Sequence, residues 1–353
     1  MHIWTNRPYE AMWDHLDFLA QPANVKRLLM GEIDSKRSSP ALAKSIAERK
    51  APQVGYSIRQ GHEYFKAADS VSIVTSPLLY YYGMLSLTKA LLVANNESLF
   101  LENLKYHGLD TRPKNESQRI YCEDPSLWSI EEEYANINDG VFKELAKYVH
   151  RFNFPNDATI KYFDLLAIEP EISNMFQRYY HIEPRTQYLY TVEEQQDPYR
   201  LMISPSTNNF EQFEAKFPAF KADFERSKEL KHGVAIEYSS KPDRVTKFPD
   251  YFGTYQTTAG GRYIVNGLRY EVDKIKTDRF LFPEVCDFIT FFILSTCVRY
   301  KQEYWNRIIE GKDNGALGII ALYVNIARSR FPNFVLDQLF GERFSFGAGA
   351  RLA

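Results

Sequence analysis

The chain has few cysteines, and they form no metal or redox motif. Cys122, Cys286 and Cys297 are the only ones in 353 residues. There is no CxxC pair, and no cysteine–histidine set has the spacing of a zinc site. Because a small, odd number of thiols fits a reducing compartment, we expect a cytoplasmic protein without a metal site.

Several common functional motifs are also missing. The sequence contains no GxxxxGK[ST] loop, no GxGxxG after a strand, no HExxH and no GxSxG. These motifs mark phosphate-binding loops, dinucleotide-binding folds, zinc peptidases and serine hydrolases. Their absence leads us to expect no bound cofactor, and it leaves open whether the protein is an enzyme.

The chain has almost no net charge and no long apolar run. A formal net charge of −2 gives no general attraction to nucleic acid or acidic membranes, although a local basic face would still allow nucleic-acid binding. The apolar run from Phe288 to Val298 is uncharged but far shorter than the roughly 20 residues of a membrane span. We therefore expect no membrane partner.

Aromatic residues are plentiful, and the hydrophobic pattern predicts an α+β fold. Aromatics make up 15% of the chain, enough to build a sizeable core. We expect a mainly helical body formed by the N- and C-terminal segments, with a smaller antiparallel β region in the middle. The predicted regions are N-terminal helices over 1–100, a mixed region over 101–280, C-terminal helices over 281–343 packing on the N-terminal ones, and a flexible tail over 344–353.

Proline and serine residues mark the predicted helix boundaries. Pro22 ends the first helix, and Ser39-Pro40 begins a second that runs to about Arg49. A third covers Ser57–Ala68, and Ser76-Pro77 begins the fourth.

The strongest β signal is the Asn266-Gly267 dipeptide. It lies between two runs of strand-forming residues, and this pattern is typical of a tight hairpin turn. The sequence therefore predicts a β-hairpin over 260–272.

Arg299 is the first candidate site residue, because it stands at the edge of the long apolar helix after Phe288. A helix that is apolar on most sides has to be buried. An arginine cannot lose its charge, so it must reach water or an anionic partner. Arg299 is therefore either half of a structural ion pair or a contact for an anionic ligand.

The polar loop at His107 is the second candidate. His107 could carry a proton and Arg112 could bind an anion. The alternative is a simple turn in which Gly108 supplies a positive φ and the charges face water.

Two helical positions complete the candidates. Arg59 could contact a ligand, but it stands four residues before Glu63, where a surface ion pair is expected. Tyr81 and Tyr82 precede Gly83 in a run of tyrosines, so at least one phenol faces the interior. Gly83 would let a neighbouring helix or a ligand approach closely.

Five stretches together resemble the YaaC-like family of bacterial proteins. They are SPLLYYYGMLSLTKALL (76–92), HGLDTR (107–112), DGVFKEL (139–145), DLLAIEPEI (164–172) and FITFFILSTCVRYKQEYW (288–305). The family pattern of an aromatic-Gly helix, a His-Gly loop and a late Leu-Ser…Arg-Tyr…Trp helix maps onto Pro77, Tyr81, Tyr82, Gly83, His107, Gly108, Arg112, Leu294, Ser295, Arg299, Tyr300 and Trp305. The resemblance implies a bacterial cytoplasmic protein and brings no reaction with it.

Two functional interpretations follow. The first is a non-catalytic binding or regulatory component of a larger bacterial system, such as a defence or stress module, with a protein partner or a second copy of the chain. The second is an enzyme acting on a nucleotide or nucleic-acid phosphodiester. In it, Arg112 and Arg299 would hold the phosphate and His107 would move a proton. The second interpretation requires all three residues to meet in one cleft.

Overall fold

The computed structural model describes most of the chain as two compact units. It describes residues 1–35, 40–196, 199–205, 210–231, 235–241, 252–257, 260–313 and 315–347. Unit 1 consists of Met1–Ser129, Tyr134–Ala158 and Glu284–Ala353, and unit 2 of Ile130–Glu133 and Thr159–Pro283. The protein is α+β and mainly helical, which confirms the fold class expected from the sequence.

Helices and strands alternate irregularly along the described chain. In chain order they are β1 (His2–Trp4), α1 (Pro8–Phe18), α2 (Pro22–Ser35), α3 (Pro40–Asp69), α4 (Ser76–Asn95), β2 (Leu109–Asp110), α5 (Glu116–Glu123), β3 (Tyr134–Ile137), α6 (Val141–His150), β4 (Thr159–Lys161), α7 (Tyr162–Ala167), α8 (Ser173–Tyr180), β5 (Thr186–Gln196), β6 (Tyr199–Pro205), α9 (Phe210–Lys216), α10 (Pro218–Asp223), β7 (Phe224–Lys231), β8 (Ala235–Ser240), β9 (Phe252–Gln256), β10 (Arg262–Asn266), β11 (Leu268–Val272), β12 (Ile275–Arg279), α11 (Pro283–Tyr300), α12 (Gln302–Ile309), α13 (Ala316–Phe340) and β13 (Ser345–Gly347).

The N-terminal helices differ in number from the prediction. The expected second and third helices are one continuous helix, α3, which contains Pro52 in its interior. α2 was not predicted, because Pro22 was taken as a helix stop. Pro22 is instead the first residue of α2, a position where the missing N–H and fixed φ of proline suit the helix.

The two chain ends of unit 1 meet in a short parallel β pair. His2 pairs with Ser345 and Trp4 with Gly347. The first residues are therefore extended rather than helical, and the start of the predicted flexible tail forms strand β13. The rest of that tail, from residue 348 onward, lies outside the described residues.

Helix α11 is the central helix of unit 1. All residues from Val285 to Cys297 are buried, as the apolar run predicted. The carboxylate of Asp287, in this buried part of α11, is 0% exposed and lies 2.6 Å from Nη2 of Arg330 on α13. This ion pair links α11 to α13 inside the core.

In unit 2, an antiparallel sheet in the order β7-β8-β6-β5-β10-β9 carries an apolar cluster. Its buried members are Leu189, Phe213, Phe217, Phe224, Ile236, Tyr238, Phe252 and Ile264. Because Phe213 and Phe217 lie on α9 and directly after it, the cluster joins this helix to the sheet.

The predicted hairpin at Asn266-Gly267 is wrong. Strand β10 pairs with β5 and β9, whereas β11 pairs with β12 and β4, so the chain changes sheet at Gly267. The hairpin is formed instead by β11 and β12. Its turn residues, Asp273 and Lys274, both have positive φ, at 49° and 67°. That is the backbone shape a two-residue hairpin turn requires, and the sequence hides it because neither residue is glycine.

Glycines bring α3 and α4 of unit 1 into close contact. A Cβ built on Gly83 would lie 2.5 Å from the ring of Phe65, and one built on Gly61 would lie 2.9 Å from Leu87. Gly83 therefore serves helix packing, one of the two roles expected for it.

We expect Gly83→Ala to lower the free energy of unfolding by about 1–3 kcal/mol, because the buried Phe65 ring must move. Gly318→Ala is the matched control, since nothing lies within 4 Å of its added Cβ on α13. It should raise the same quantity by about 0.5–1 kcal/mol through helix propensity. Urea unfolding followed by circular dichroism measures both. Equal effects of the two substitutions would contradict the close packing of α3 and α4.

Candidate functional site

The loop that carries His107 is fixed by the start of helix α6. The backbone N–H of Val141 donates to the carbonyl oxygen of Tyr106 at 2.9 Å, and that of Phe142 donates to the carbonyl of His107 at 3.0 Å. N–H groups in the first turn of a helix have no partner within the helix. The His107 loop therefore caps α6, and the cap holds His107 in place.

Two glycines make this cap possible. Gly108 has φ +84° and Gly140 has φ +151°, both unfavourable for a residue with a Cβ. A Cβ on Gly140 would lie 2.5 Å from the carbonyl oxygen of Tyr106. The positive φ expected for Gly108 is thus present, and it serves to position His107 rather than to form an isolated turn.

The His107 ring has a defined tautomer. The Leu109 backbone N–H donates to Nδ1 of His107 at 3.2 Å. Because Nδ1 accepts this hydrogen bond, the neutral ring carries its proton on Nε2. The ring centroid lies 5.4 Å from that of Phe292 and 6.3 Å from that of Tyr81.

The surroundings of His107 favour its neutral form. Although much of the residue is exposed, its ring packs on Phe292 and Tyr81, and this partial burial lowers its pKa. The guanidinium of Arg299 and the ammonium of Lys89 lower the pKa further, while Asp110 acts in the opposite direction. The His107 imidazole therefore lies within electrostatic reach of two cations.

Tyr81 is buried within electrostatic reach of Arg299, and its hydroxyl has no partner among the described residues. The residue is 1% exposed, and its ring lies 5.7 Å from those of Phe288 and Phe292. Within the described structure its hydroxyl has no hydrogen-bond partner. Burial raises the pKa of Tyr81, and Arg299 only partly opposes this. The group is therefore a phenol with a proton to donate.

Arg299 lies on the same face of α11 as the aromatic residues that contact Tyr81. Phe288, Phe292, Ser295 and Arg299 share one helix face by their spacing. The Arg299 side chain is half-buried, and its Nε donates to the Ser295 carbonyl at 3.1 Å. In the described part of the chain no carboxylate lies within 4.0 Å of its guanidinium. The ion pair considered for Arg299 is thus not formed.

The buried ion pair of this region belongs to other residues. Arg330 donates to Asp287 through Nη2 at 2.6 Å and through Nε at 3.1 Å. Tyr323 also donates to Asp287, at 2.7 Å. Sequence reasoning missed this network, although Asp287 directly precedes the apolar run and Tyr323 and Arg330 are two helical turns apart.

Lys89 is a second cation without an acid. It is half-buried on α4, and burial alone accounts for its lowered pKa. Across the described residues no carboxylate pairs with its ammonium. Sequence reasoning did not select Lys89, yet it is the one charged residue in the apolar stretch Pro77–Ala94.

Arg112 does not join this group. Its Nε and Nη2 lie 2.8 and 2.6 Å from Oδ2 of Asp110, and the side chain is 79% exposed. Burial raises the pKa of Asp110, but hydrogen bonds from Arg112 and Asn136 lower it by more. The pKa of Asp110 therefore lies below its ordinary value. In the parts of the chain that are described, Arg112 bonds to Asp110 and to neither His107 nor Arg299.

Arg59 and Tyr82 have other contacts. Arg59 donates to the Ala20 carbonyl at 3.2 Å, and Glu63 pairs with Lys66 at 3.5 Å. The expected Arg59–Glu63 ion pair is therefore wrong, because each side chain has a different partner. Tyr82 on α4 stacks on Tyr64 of α3, with ring centroids 5.6 Å apart.

Tyr81, Lys89, His107 and Arg299 form what we call the cationic cluster. It offers O–H and N–H donors and positive charge, a combination that suits phosphate, sulfate or carboxylate groups. No set of metal-binding side chains occurs among the residues described. Within the same residues, no helix has the length and apolarity to cross a membrane.

The fold and the cluster define a mainly helical α+β protein with uncompensated cations on α4 and α11. The model of the YaaC-like protein family matches residues 17–339. The chain therefore belongs to the YaaC-like family, as the five stretches suggested, and the match includes the whole cationic cluster. Neither the curated proteins nor the solved structures contain a significant match to the chain.

The two arginines of this region should respond differently to substitution. Arg330→Met leaves the Asp287 carboxylate buried without its cation, so we expect the free energy of unfolding to fall by about 3–5 kcal/mol. Arg299→Met removes no ion pair and should change it by less than about 1 kcal/mol. Urea unfolding of both variants is the measurement. A loss in Arg299→Met as large as that in Arg330→Met would show that Arg299 is structural.

Proposed function

We propose that this protein binds a small anionic ligand, through a phosphate or similar group, at the cationic cluster and does not transform it. The observation that carries the proposal is that two half-buried cations, Lys89 and Arg299, act on His107 and have no carboxylate partner among the described residues. The buried Tyr81 hydroxyl, on which Arg299 acts, also has no hydrogen-bond partner there. Removing a charge from water is costly unless another group compensates it. A ligand that supplies negative charge would compensate both cations.

The energetics favour an anion strongly enough for useful affinity. Two unit charges 4 Å apart attract by about 4 kcal/mol at the effective dielectric constant of about 20 that suits sites near a protein surface. Arginine adds directional hydrogen bonds to phosphate or carboxylate oxygens, and lysine adds a compact point charge. Arg299 and Lys89 therefore play complementary roles in the proposed site.

The polar groups of the cluster can all donate hydrogen bonds. Arg299, Lys89 and the Tyr81 hydroxyl donate hydrogen bonds, and His107 presents its proton on Nε2. Asp110, the acid that acts on His107, already bonds to Arg112. A set of donors without a competing acceptor supports an anionic ligand over a cationic or neutral one.

The state of His107 supports binding rather than catalysis. A general base needs a free nitrogen lone pair near its target. In His107, Nδ1 already accepts from Leu109 and Nε2 carries the proton. Arg112, the other residue of the enzyme interpretation, is committed to Asp110. The role as a regulatory component of a larger bacterial system stays a prediction, in which the cationic cluster would act as the ligand sensor.

Calorimetric titration with pyrophosphate tests the proposal, in chloride buffer at fixed ionic strength because salt screens charge. We expect Arg299→Gln and Lys89→Gln each to weaken binding by roughly tenfold or more. Lys66→Gln is the control, since Lys66 is an exposed lysine of the same unit that pairs with Glu63. Equal affinity in all four proteins, or no binding at all, would contradict the proposal.

Tyr81→Phe separates binding from folding in the same titration. It removes only a buried hydroxyl that has no described partner, so the free energy of unfolding should stay equal or rise by up to about 1 kcal/mol. Pyrophosphate binding should nevertheless weaken. Loss of stability with unchanged binding would assign the hydroxyl to the core instead.

A further inference from the structure

Tyr300 places an exposed aromatic ring next to a cation of the cluster. It is the last residue of α11 and is 70% exposed. The guanidinium carbon of Arg299, Cζ, lies 4.9 Å from the centroid of the Tyr300 ring. A cation within about 6 Å of an aromatic ring is attracted by it. The ring and the Arg299 charge therefore form one continuous surface at the C-terminal end of α11.

The core makes little use of this ring. All residues from Val285 to Cys297 are buried, whereas Tyr300 lies beyond the buried part of the helix. Among the described residues, Arg299 alone makes a cation–π, ring-stacking or side-chain hydrogen-bond contact with Tyr300. Arg299 covers one face of the ring, and the exposure of the side chain leaves the other face open to solvent. That open face can take a second planar group.

Ligand classes differ in how they use the charge and the ring. An inorganic anion would compensate Arg299 but leave the open ring in water. A neutral aromatic compound would cover the ring but leave Arg299 and Lys89 without a counter-charge, which is costly for groups removed from water. A nucleotide supplies both parts, because a single pentose joins its planar base to its phosphate. Bases stack on aromatic side chains largely irrespective of which base they are.

A free nucleotide suits the cluster better than a nucleic-acid chain. The protein carries a formal net charge of −2, which gives no general attraction to a polyanion. Proteins that bind a nucleic-acid strand normally track its backbone with a positively charged groove. The cluster has two cations without a carboxylate partner among the described residues, Lys89 and Arg299, which suits the phosphates of one small molecule.

We propose that the ligand of the cationic cluster is a free nucleotide, whose phosphate contacts Arg299 and Lys89 and whose base stacks on the Tyr300 ring. This inference rests on the anion site proposed above and adds the class of ligand. It also gives Tyr300 a role in ligand selection, because the ring distinguishes a nucleotide from pyrophosphate.

Calorimetric titration of the full chain with ADP and with pyrophosphate tests this inference. Both probes present a diphosphate and carry nearly the same negative charge, so a difference in affinity reports on the adenosine part. Divalent metal ions are left out, because they would compete with Arg299 and Lys89 for the phosphates. We expect ADP to bind roughly tenfold more tightly than pyrophosphate, in line with the strength of one base–aromatic stack.

Substitutions of Tyr300 locate the base. Tyr300→Ala removes the ring and should reduce the affinity for ADP to about that for pyrophosphate, while pyrophosphate binding stays unchanged. Tyr300→Phe keeps the ring and should keep the preference for ADP. Tyr56→Ala is the matched control and should bind as the unmodified protein does. Tyr56 is a 58% exposed tyrosine of α3 with no described hydrogen bond or ring contact to the cluster.

The outcomes separate this inference from the anion site itself. Circular dichroism first checks that each variant is folded. Equal affinity of the unmodified protein for ADP and pyrophosphate, or a preference for ADP that survives in Tyr300→Ala, overturns the nucleotide and leaves the anion site standing. Failure of both probes to bind overturns the anion site, and the nucleotide with it.

Discussion

The ion pair between Asp287 and Arg330 is the constraint on which unit 1 depends. Helix α11 is buried along most of its length, and a carboxylate inside it must be neutralised. Arg330 and Tyr323 of α13 do this with three hydrogen bonds, which fixes the register of the two helices. The same register presents the face with Phe288, Phe292 and Arg299 to Tyr81. The acid of the core is thereby satisfied without Arg299.

Arg299 is consequently left with its charge and without an acid. Lys89 is in the same position on α4, and the loop capping α6 adds His107. Packing alone explains the place of each element. Helix α11 is held by its aromatic face, α4 by the contact at Gly83, and the His107 loop by capping α6. Their combination leaves donors and positive charge together, and this excess distinguishes the cationic cluster from a satisfied core.

The sequence predicted those features that depend on local pattern. The buried helix after Phe288, the α+β class and the family follow from apolar periodicity and motif order. Prediction from the sequence failed where contacts between residues far apart in the chain determine the structure. Asn266-Gly267 has a hairpin signature, but strand pairing sends β10 and β11 to different sheets. Arg112 and Asp110, two residues apart, bond to each other, a pairing that sequence reasoning did not anticipate. Lys89 was overlooked because a single charge on an apolar helix resembles a surface position.

An anion bound within electrostatic reach of His107 should change the protonation of that ring, and proton uptake on binding measures this change. Sulfate keeps its charge near neutral pH and gains no proton. Any proton taken up on sulfate binding is therefore bound by the protein. Calorimetry at about pH 6, just below the ordinary histidine pKa of about 6.5, in two buffers of different ionisation enthalpy gives the number of protons taken up. A bound anion should raise the lowered pKa of His107, and the protein should then take up a fraction of a proton. His107→Gln should abolish this uptake. Sulfate binding without uptake, or with equal uptake in His107→Gln, would contradict anion binding within reach of His107.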